Sequence, residues 1–506
     1  MKLGRHVMFM SMFSIVLPAL SGCGDNEVNV HYIEKNLDEE AHQKLVTDVQ
    51  ELVKQHQLNG LNNAAKQLPT IESPIAQLGM LLFFSKSLSG DMDTACASCH
   101  HPFLGGGDAL PLSIGVAAIQ PNLLGPGRLH DAGAVHADGG PTVPRNAPST
   151  FNIAFYNQAL FHDGRVQTLS DSDALNGLNE PLRTPDSPFA TADNFAGTNL
   201  TAAQARFPVT SKEEMRGFNL AAGESNQVLR EALQRRLRGE TNELSKNEWL
   251  SRFATAFNRT TDQVIQDNIL SFDNVAFALG EYQRSQVLIN SPWSQFVQGN
   301  TSALTDEQLK GAKLFYSTKS QGGFDCVACH SGDFMTDEQF HIIAMPQIGR
   351  GKGDGEDGSN DFGRFRETNV ETDKFAFRTP HLTNIEVTAP YGHDGAFATL
   401  EAVIEHHLNP EVSIANYDPS DVQPGIQTTH WVNNTNQALD VLKMNMDAGR
   451  SLLTTIDFSV EQITQLVAFL KAQTDPCTKD HNCLIKWVPA PTMDADNTLL
   501  IAEFQE

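Results

Sequence analysis

The chain has 506 residues, with 36 Lys and Arg against 61 Asp and Glu and a formal net charge of −25. This length is sufficient for two or three domains, and the composition (40% hydrophobic, 37 Gly, 24 Pro) excludes collagen, low-complexity disorder and a polytopic membrane protein. The acidity excludes general nucleic-acid binding, because neutralising phosphates requires clustered Lys and Arg.

The first 23 residues have the pattern of an export signal. Lys2 and Arg5 precede an apolar stretch, residues 7–20, which is too short for a comfortable membrane span. The stretch ends in a Leu-Ser-Gly-Cys run that resembles the bacterial lipobox, so we expect a lipid on Cys23. An ordinary signal peptide beside a cysteine is the alternative. Removal of the signal would take Lys2 and Arg5 with it and change the net charge from −25 to −27. We expect a lipid-tethered protein in the periplasm, where disulfides can form.

The remainder of the chain is predicted to be mainly α, because strand patterns are scarce. Apolar residues at helical spacing predict helices within 38–66, across 226–290, and from the capping Ser459 to Ala472. Stretches rich in Gly, Pro, Asn and Asp predict loop insertions at 117–145, 176–206 and 350–366.

Two short blocks resemble each other, and each precedes a Cys pair. Residues 78–84 lead to Cys96-Ala97-Ser98-Cys99-His100, and residues 310–316 lead to Cys326-Val327-Ala328-Cys329-His330. Two thiols at this spacing can bond to one haem, and the adjacent His can ligate its iron. A zinc site would require further paired Cys or His ligands, which the sequence lacks. A redox-active Cys pair would not explain the His that follows each pair or the similar residues that precede both pairs. We predict two covalent haem c groups, with His100 and His330 as proximal ligands.

The duplication predicts two cytochrome c-like haem domains in tandem with loop insertions. The predicted segments are a signal peptide (1–22), an N-terminal linker and helix (23–73), a first haem domain (74–290), a second haem domain (291–475) and a tail (476–506). We expect the tail to be peripheral. Its Cys477 and Cys483 suit a small disulfide in an exported protein, and two inert thiols are the alternative.

A series of ordered motifs across 74–475 resembles the bacterial diheme cytochrome c peroxidase family, which includes MauG-type protein-oxidising enzymes. Besides the two Cys motifs and their flanks, they include Arg145-Asn146-Ala147-Pro148, Phe161-His162-Asp163-Gly164-Arg165, Phe377-Arg378-Thr379-Pro380, Ala389-Pro390-Tyr391 and His393-Asp394-Gly395. The resemblance implies that the N-terminal haem is the peroxide site and that the C-terminal haem accepts electrons from a donor protein.

The resemblance also implies an open first haem. Family members that need reductive activation carry a blocking His sixteen residues after the proximal His, and that position here is Val116, which cannot ligate iron. His130 and His136 in the 117–145 loop are alternative ligands, and solvated loop histidines are the other interpretation.

The family's distal acid–base Glu lies in a Pro-Val-x-Glu-Met-like stretch, which residues 208–215 resemble with two extra residues. Glu214 is therefore the catalytic candidate, with Glu213 in reserve and a surface carboxylate as the alternative. The family's distal Gln falls near Ser172, a departure that weakens the case for an unmodified peroxide pocket.

Two further positions differ from the family pattern. His162 occupies the place of an inter-haem Trp and could be a relay or a hydrogen-bonded packing residue. The family's second-haem ligand, Met or Tyr, lies fourteen residues after the His of His-Asp-Gly, and that count reaches His407. A bis-His haem would have a lower potential than a Met-ligated one. The alternative ligands are Met345, Met335, His406 and His393.

Asn146, Thr388 and Pro390 match the family's positions for a bridging Ca²⁺, with ordinary turn chemistry as the alternative. The predicted activity is reduction of hydrogen peroxide with electrons from a small c-type cytochrome or cupredoxin, whose basic patch would speed docking to this acidic chain. MauG-like oxidation of a protein substrate and electron transfer without peroxidase activity are the alternatives. Relatives often form homodimers.

Overall fold

The computed structural model describes residues 26–134, 143–423 and 425–505, with the backbone alone for 26–38 and Asp421. The predicted signal peptide and lipidated Cys23, like His136, lie outside the described residues. Within these ranges no helix combines the length and apolar character needed to cross a membrane.

Helices dominate both halves of the chain, which confirms the prediction of a mainly α protein. The first half contains α1 (Asn26–Gln55), α2 (Asn62–Ala65), α3 (Pro74–Phe84), α4 (Leu200–Gln204), α5 (Asn226–Leu237), α6 (Trp249–Ala256), α7 (Thr261–Gln266) and α8 (Phe272–Arg284). The second half contains α9 (Pro292–Val297), α10 (Asp306–Tyr316), α11 (Phe365–Thr368), α12 (Leu400–Leu408), α13 (Pro410–Ala415), α14 (Trp431–Asp447), α15 (Val460–Lys471) and α16 (His481–Leu484).

The predicted helix boundaries are correct in some places and wrong in others. Ser459 caps α15, since its hydroxyl accepts the Gln462 amide at 3.2 Å. The helix expected within 38–66 ends at Gln55, and α4 lies inside the stretch expected to be a loop at 176–206. The short α4 carries a strong local signal, because the Asn199 side chain caps it through the Ala202 amide at 2.9 Å.

In the part of the chain that the structure describes, the strands are short and form three small sheets. The strands are β1 (Leu123–Leu124), β2 (Ala159–Leu160), β3 (Val166–Thr168), β4 (Leu182–Arg183), β5 (Phe340–His341), β6 (Phe377–Arg378) and β7 (Glu503–Phe504). β2, β3 and β4 pair antiparallel in that order, β5 pairs antiparallel with β6, and β1 pairs parallel with β7 in the register Leu123 to Glu503.

Each half has its own apolar core, built around one closely packed helix pair. In the first half α3 packs on α8, where a Cβ added to Gly79 would lie 1.8 Å from the Ala278 carbonyl oxygen. In the second half α10 packs on α15, where a Cβ added to Gly311 would lie 2.0 Å from the Gln465 carbonyl oxygen. Both glycines come from the repeated blocks, so the two copies use the same device to bring helix backbones together.

The N-terminal helix α1 packs on the second half of the chain. Val46 and Val49 are buried in the second core, and Lys313 on α10 pairs with Asp48 at 2.6 Å. The segment predicted as a linker is therefore part of the wall around the second Cys motif.

The C-terminal tail packs on the first half, so the expectation of a peripheral tail was wrong. Leu484, Trp487 and Leu500 are buried in the first core, and the buried Trp249 indole donates to Asp496 at 2.7 Å. Cys477 and Cys483 form a disulfide within this tail. Isolated apolar residues in a coil-rich tail have no periodicity, which is why sequence patterning does not show the packing.

Candidate functional site

One apolar-walled cavity of about 600 Å³ connects the two Cys motifs. Cys96 and Cys99 line one end, and Cys326 and Cys329 line the other. These four thiols are the free cysteines among the described residues. Burial raises the pKa values of Cys96, Cys99 and Cys326 to about 12, so the site favours an uncharged sulfur, such as a thioether, over a thiolate.

At the first centre, a short 3₁₀ turn (Cys96–Ser98) places His100 against the cavity. The His100 Nδ1 donates to the Gly106 carbonyl at 3.2 Å. This bond fixes the tautomer and leaves Nε2 free to bind a metal. Burial lowers the pKa of His100, which keeps the ring neutral, as a ligand must be.

The second centre repeats this arrangement and adds an opposing imidazole. His330 Nδ1 donates to the Met335 carbonyl at 3.2 Å, and His407 Nδ1 donates to the Val403 carbonyl at 2.7 Å. The two ring centroids are 6.5 Å apart. A metal midway would lie about 3.2 Å from each centroid, which suits ring nitrogens bonded to it at about 2 Å.

The alternatives to His407 are less well placed. His406 uses both ring nitrogens, donating from Nε2 to the Ile343 carbonyl at 2.8 Å and accepting from the Ser413 hydroxyl at 3.2 Å. His393 stacks on Phe377, with centroids 3.8 Å apart. Met345 also lines the cavity, whereas Met335 contributes its backbone carbonyl to His330 and is not part of the lining.

Glu214, Gln204 and Pro208 line the cavity, and Glu214 lies close enough to Cys96 and Cys99 to add to burial in raising the pKa values of their thiols. Ser172 does not line it, and its carbonyl accepts from the Gln158 amide at 3.1 Å. Gln204 is thus a site residue that the sequence reasoning missed. It lies ten residues before Glu214 in the same short segment, so counting back from Glu214 would have found it, whereas counting forward across the insertion gave Ser172.

Glu214 and Glu213 differ in their access to the cavity. Glu214 lines the cavity, and burial raises its pKa despite the nearby positive charges of Arg165 and Lys352. Glu213 is not in the lining, and its carboxylate accepts from Arg350 at 2.7 Å and from the Ser211 hydroxyl at 3.0 Å. The arrangement therefore favours Glu214 over its neighbour for chemistry in the cavity.

No described histidine faces His100 in the way that His407 faces His330. Val116 is buried, and its amide donates to the Glu213 carbonyl at 3.2 Å. His130 pairs through its backbone with Ala118 and is not among the residues that line the cavity. This geometry fits a first centre with an open side.

Comparison with known proteins shows similarity to one group of haem enzymes. The sequence profile described as "Di-haem cytochrome c peroxidase" matches residues 73–302. The methylamine utilization protein MauG of Methylorubrum extorquens is 26% identical over 65% of this chain and 67% of its own length. The cytochrome c551 peroxidase of Pseudomonas aeruginosa is 26% identical over 70% of this chain and 77% of its own length. The matched part of the chain is similar to di-haem cytochrome c peroxidases.

Solved structures agree at the level of the fold. The crystal structure of a MauG-like protein associated with microbial copper homeostasis superposes with a TM-score of 0.52, at 21% identity, over 82% of this chain and 95% of that one. Together with the two Cys-X-X-Cys-His motifs, this similarity indicates an oxidoreductase with two covalently bound haem c groups. The four thiols, the free Nε2 atoms and the apolar cavity fit those groups.

A buried ion-pair network centred on Arg145 adjoins the cavity. Arg145 donates to Asp163 at 2.5 Å and to both oxygens of Asp361, at 2.7 and 2.8 Å. His162 lines the cavity beside it and donates from Nε2 to the Asn146 carbonyl at 3.0 Å. Burial and Arg145 lower the pKa of His162 to about 4, so this imidazole is neutral at physiological pH.

The three residues considered for calcium also meet in this region. Asn146, Thr388 and Pro390 all line the cavity, and the Asn146 amide hydrogens donate to the carbonyls of Leu110 and Pro111 at 2.9 and 3.1 Å. These bonds leave the Asn146 side-chain oxygen as an acceptor of the hard type that Ca²⁺ binds.

Proposed function

We propose that this protein reduces hydrogen peroxide at its first centre with electrons that enter at its second centre. The observation that carries the proposal is the contrast between the two centres. His330 faces His407 across 6.5 Å, whereas His100 faces a pocket lined by Glu214 and Gln204. A haem with an open side can bind peroxide, and a haem closed on both sides can only transfer electrons.

Bound haem would supply the one-electron redox chemistry, and the chain's own groups would handle protons and orientation. In this proposal Cys96 and Cys99 hold the first haem and His100 binds its iron. Cys326 and Cys329 would hold the second, and His330 and His407 would ligate its iron. Glu214 takes the proton from the inner peroxide oxygen and returns it to the outer one, which leaves as water. The Gln204 amide orients the peroxide by hydrogen bonding.

Peroxide consumption with a reduced small cytochrome, measured without prior reduction of the enzyme, tests the proposal. We expect turnover in the wild type and a loss of about 10²–10⁴-fold in Glu214→Gln, since that range is typical for removing an acid–base group. Glu231→Gln, an exposed carboxylate on α5, is the control and should match wild type. Wild-type protein that binds both haems but consumes no peroxide would contradict the proposal and favour a pure electron-transfer cytochrome.

A MauG-like oxidation of a protein substrate is the second candidate. The open first centre and the His at position 407, where peroxidases have Met, favour it. Peroxide-dependent modification of a partner protein, together with slow turnover of reduced cytochrome c, would support this candidate over the peroxidase.

We further propose that the electron donor is a small basic cytochrome or cupredoxin that docks beside the second centre. Leu452 lines the cavity and is 52% exposed, so it links the second centre to the surface. The net charge of −25 would attract a basic partner, with an on-rate that falls as salt rises. Export to the bacterial periplasm, a lipid on Cys23, homodimerisation and a Ca²⁺ held by Asn146, Thr388 and Pro390 belong to the same proposal.

A further inference from the structure

A loop of the second half reaches the cavity wall of the first centre. This crossing loop (349–364) begins at Gly349, whose amide donates to the Gln427 carbonyl at 2.8 Å. A Cβ added to Gly349 would lie 2.3 Å from the Leu112 side chain of the first half. The loop is therefore anchored on the second half while it presses against the first.

Arg350 makes the contact nearest to the proposed chemistry. Its Nη2 donates to a carboxylate oxygen of Glu213 at 2.7 Å, and the Ser211 hydroxyl donates to the other oxygen at 3.0 Å. Both members of the ion pair are largely buried, at 20% and 16% side-chain exposure. Charge-assisted bonds to both oxygens fix the Glu213 side chain, which is not among the residues that line the cavity.

The backbone next to this pair has little freedom. The Val116 amide donates to the Glu213 carbonyl at 3.2 Å. A Cβ on Gly115 would lie 2.2 Å from the Glu213 carbonyl oxygen and 2.4 Å from that of Glu214. With the backbone held from one side and the Glu213 side chain from the other, the Glu214 side chain is left facing the cavity.

We propose that Arg350 is a positioning residue for the peroxide reaction: by holding Glu213 at the contact between the two halves, it keeps Glu214 turned into the cavity of the first centre. The inference rests on the proposed role of Glu214. It means that the second half contributes a residue to the proton chemistry of the first, in addition to its haem.

Arg350 also shapes the charge around Glu214. The charged groups that act on this carboxyl are Arg165, Lys352 and Glu213, of which the first two favour the ionised form and the third opposes it. Arg350 neutralises Glu213. Its loss should therefore leave a like charge beside Glu214 and raise the pKa of Glu214 further.

The test compares Arg350→Gln, Arg350→Lys and Glu214→Gln as holoproteins with two haems. Arg366→Gln is the matched control, because Arg366 pairs with Asp354 of the same loop at comparable exposure and does not reach the first half. One readout is the pH profile of the peroxide rate constant. The other, independent of activity, is the affinity of the oxidised first haem for fluoride, which accepts a hydrogen bond from a protonated distal group.

We expect Arg350→Gln to lower the peroxide rate constant at pH 7 about tenfold, less than the loss on removing the acid–base group itself. Fluoride affinity should also fall about tenfold when it is measured at a pH low enough to protonate Glu214 in every variant, because only the position of Glu214 then differs. The acid limb of its pH profile should move to higher pH, Arg350→Lys should recover part of each loss, and Arg366→Gln should match wild type. The role of Arg350 would be overturned, and that of Glu214 retained, by the following outcome. Glu214→Gln would be slow, whereas the rate, fluoride affinity and pH profile of Arg350→Gln or Arg350→Lys would all stay within twofold of wild type. A wild-type rate in Glu214→Gln would overturn both proposals.

Discussion

Replacing Arg145 with Met should test whether the ion-pair network joins the two halves as the structure indicates. Arg145 donates three charged hydrogen bonds, and its two carboxylate partners are almost fully buried. Without it, Asp163 keeps Arg165 at 3.2 Å, whereas Asp361 keeps only backbone donors such as the Gly363 amide at 2.9 Å. Leaving a buried charge unpaired costs about 3–5 kcal/mol, and we assign most of that loss to Asp361.

The effect of Arg145→Met on the free energy of unfolding should depend on pH in a definite direction. Arg145 holds the pKa values of Asp163 and Asp361 well below their usual range. The stability they contribute is therefore present above the unfolded pKa of about 3.9 and is lost as the pH falls below it. In Arg145→Met the unpaired Asp361 can take up a proton at higher pH, which removes its penalty. The difference in unfolding free energy between wild type and variant should therefore be largest near pH 7 and narrow towards pH 4.

Urea unfolding followed by far-ultraviolet circular dichroism measures the effect. Lys443→Met provides the control, because it breaks an exposed pair with Glu411 at 2.6 Å and should cost no more than about 1 kcal/mol. Adding Asp361→Asn to Arg145→Met should recover part of the loss. An Arg145→Met effect as small as that of the control, or a difference that does not narrow with pH, would refute the reasoning.

Three further predictions concern the centres. His407→Ala should convert the second haem from low spin to high spin, as seen in the absorption spectrum of the oxidised protein. His406→Ala should leave the spectrum unchanged, because both ring nitrogens of His406 already form hydrogen bonds. Equal spectra for the two variants would count against His407. Gly115→Ala should slow the peroxide reaction by more than tenfold in stopped-flow measurements, because its Cβ would displace the Glu213 carbonyl; a wild-type rate would show that this segment can shift without consequence. Burial raises the pKa of Glu214, so the peroxide rate constant should fall as the pH drops through a value above the usual Glu pKa of about 4.3; an acid limb below 4.3 would exclude Glu214 as the base.

The features that could be predicted from the sequence are those that depend on local spacing. The two Cys motifs carry their own chemistry within five residues, so their haem role does not depend on how the chain folds. Glu214 was also a local prediction, made from residues 208–215. His407 followed from a count within one segment, and the structure places its ring opposite His330.

The features that were missed depend on contacts between distant parts of the chain. Gln204 was misplaced because an insertion of unknown path separates it from the motif used for counting. The contact between Arg350 and Glu213 joins positions 137 residues apart. A single Arg in a Gly-rich loop gives no sequence pattern that would predict this contact. Long-range pairing of this kind is decided by tertiary packing and leaves no periodicity in the sequence.

The N-terminal helix packs on the second half of the chain and the C-terminal tail packs on the first half, which constrains the order in which the two cores can form. Val46 and Val49 on α1 cannot be covered until α10 exists, about 260 residues later, and the first core lacks Trp487 and Leu500 until the last residues arrive. A chain that enters its compartment N-terminus first therefore exposes Cys96 and Cys99 well before the core around them can close. The first Cys motif is therefore accessible on the open polypeptide until the tail packs against the first core.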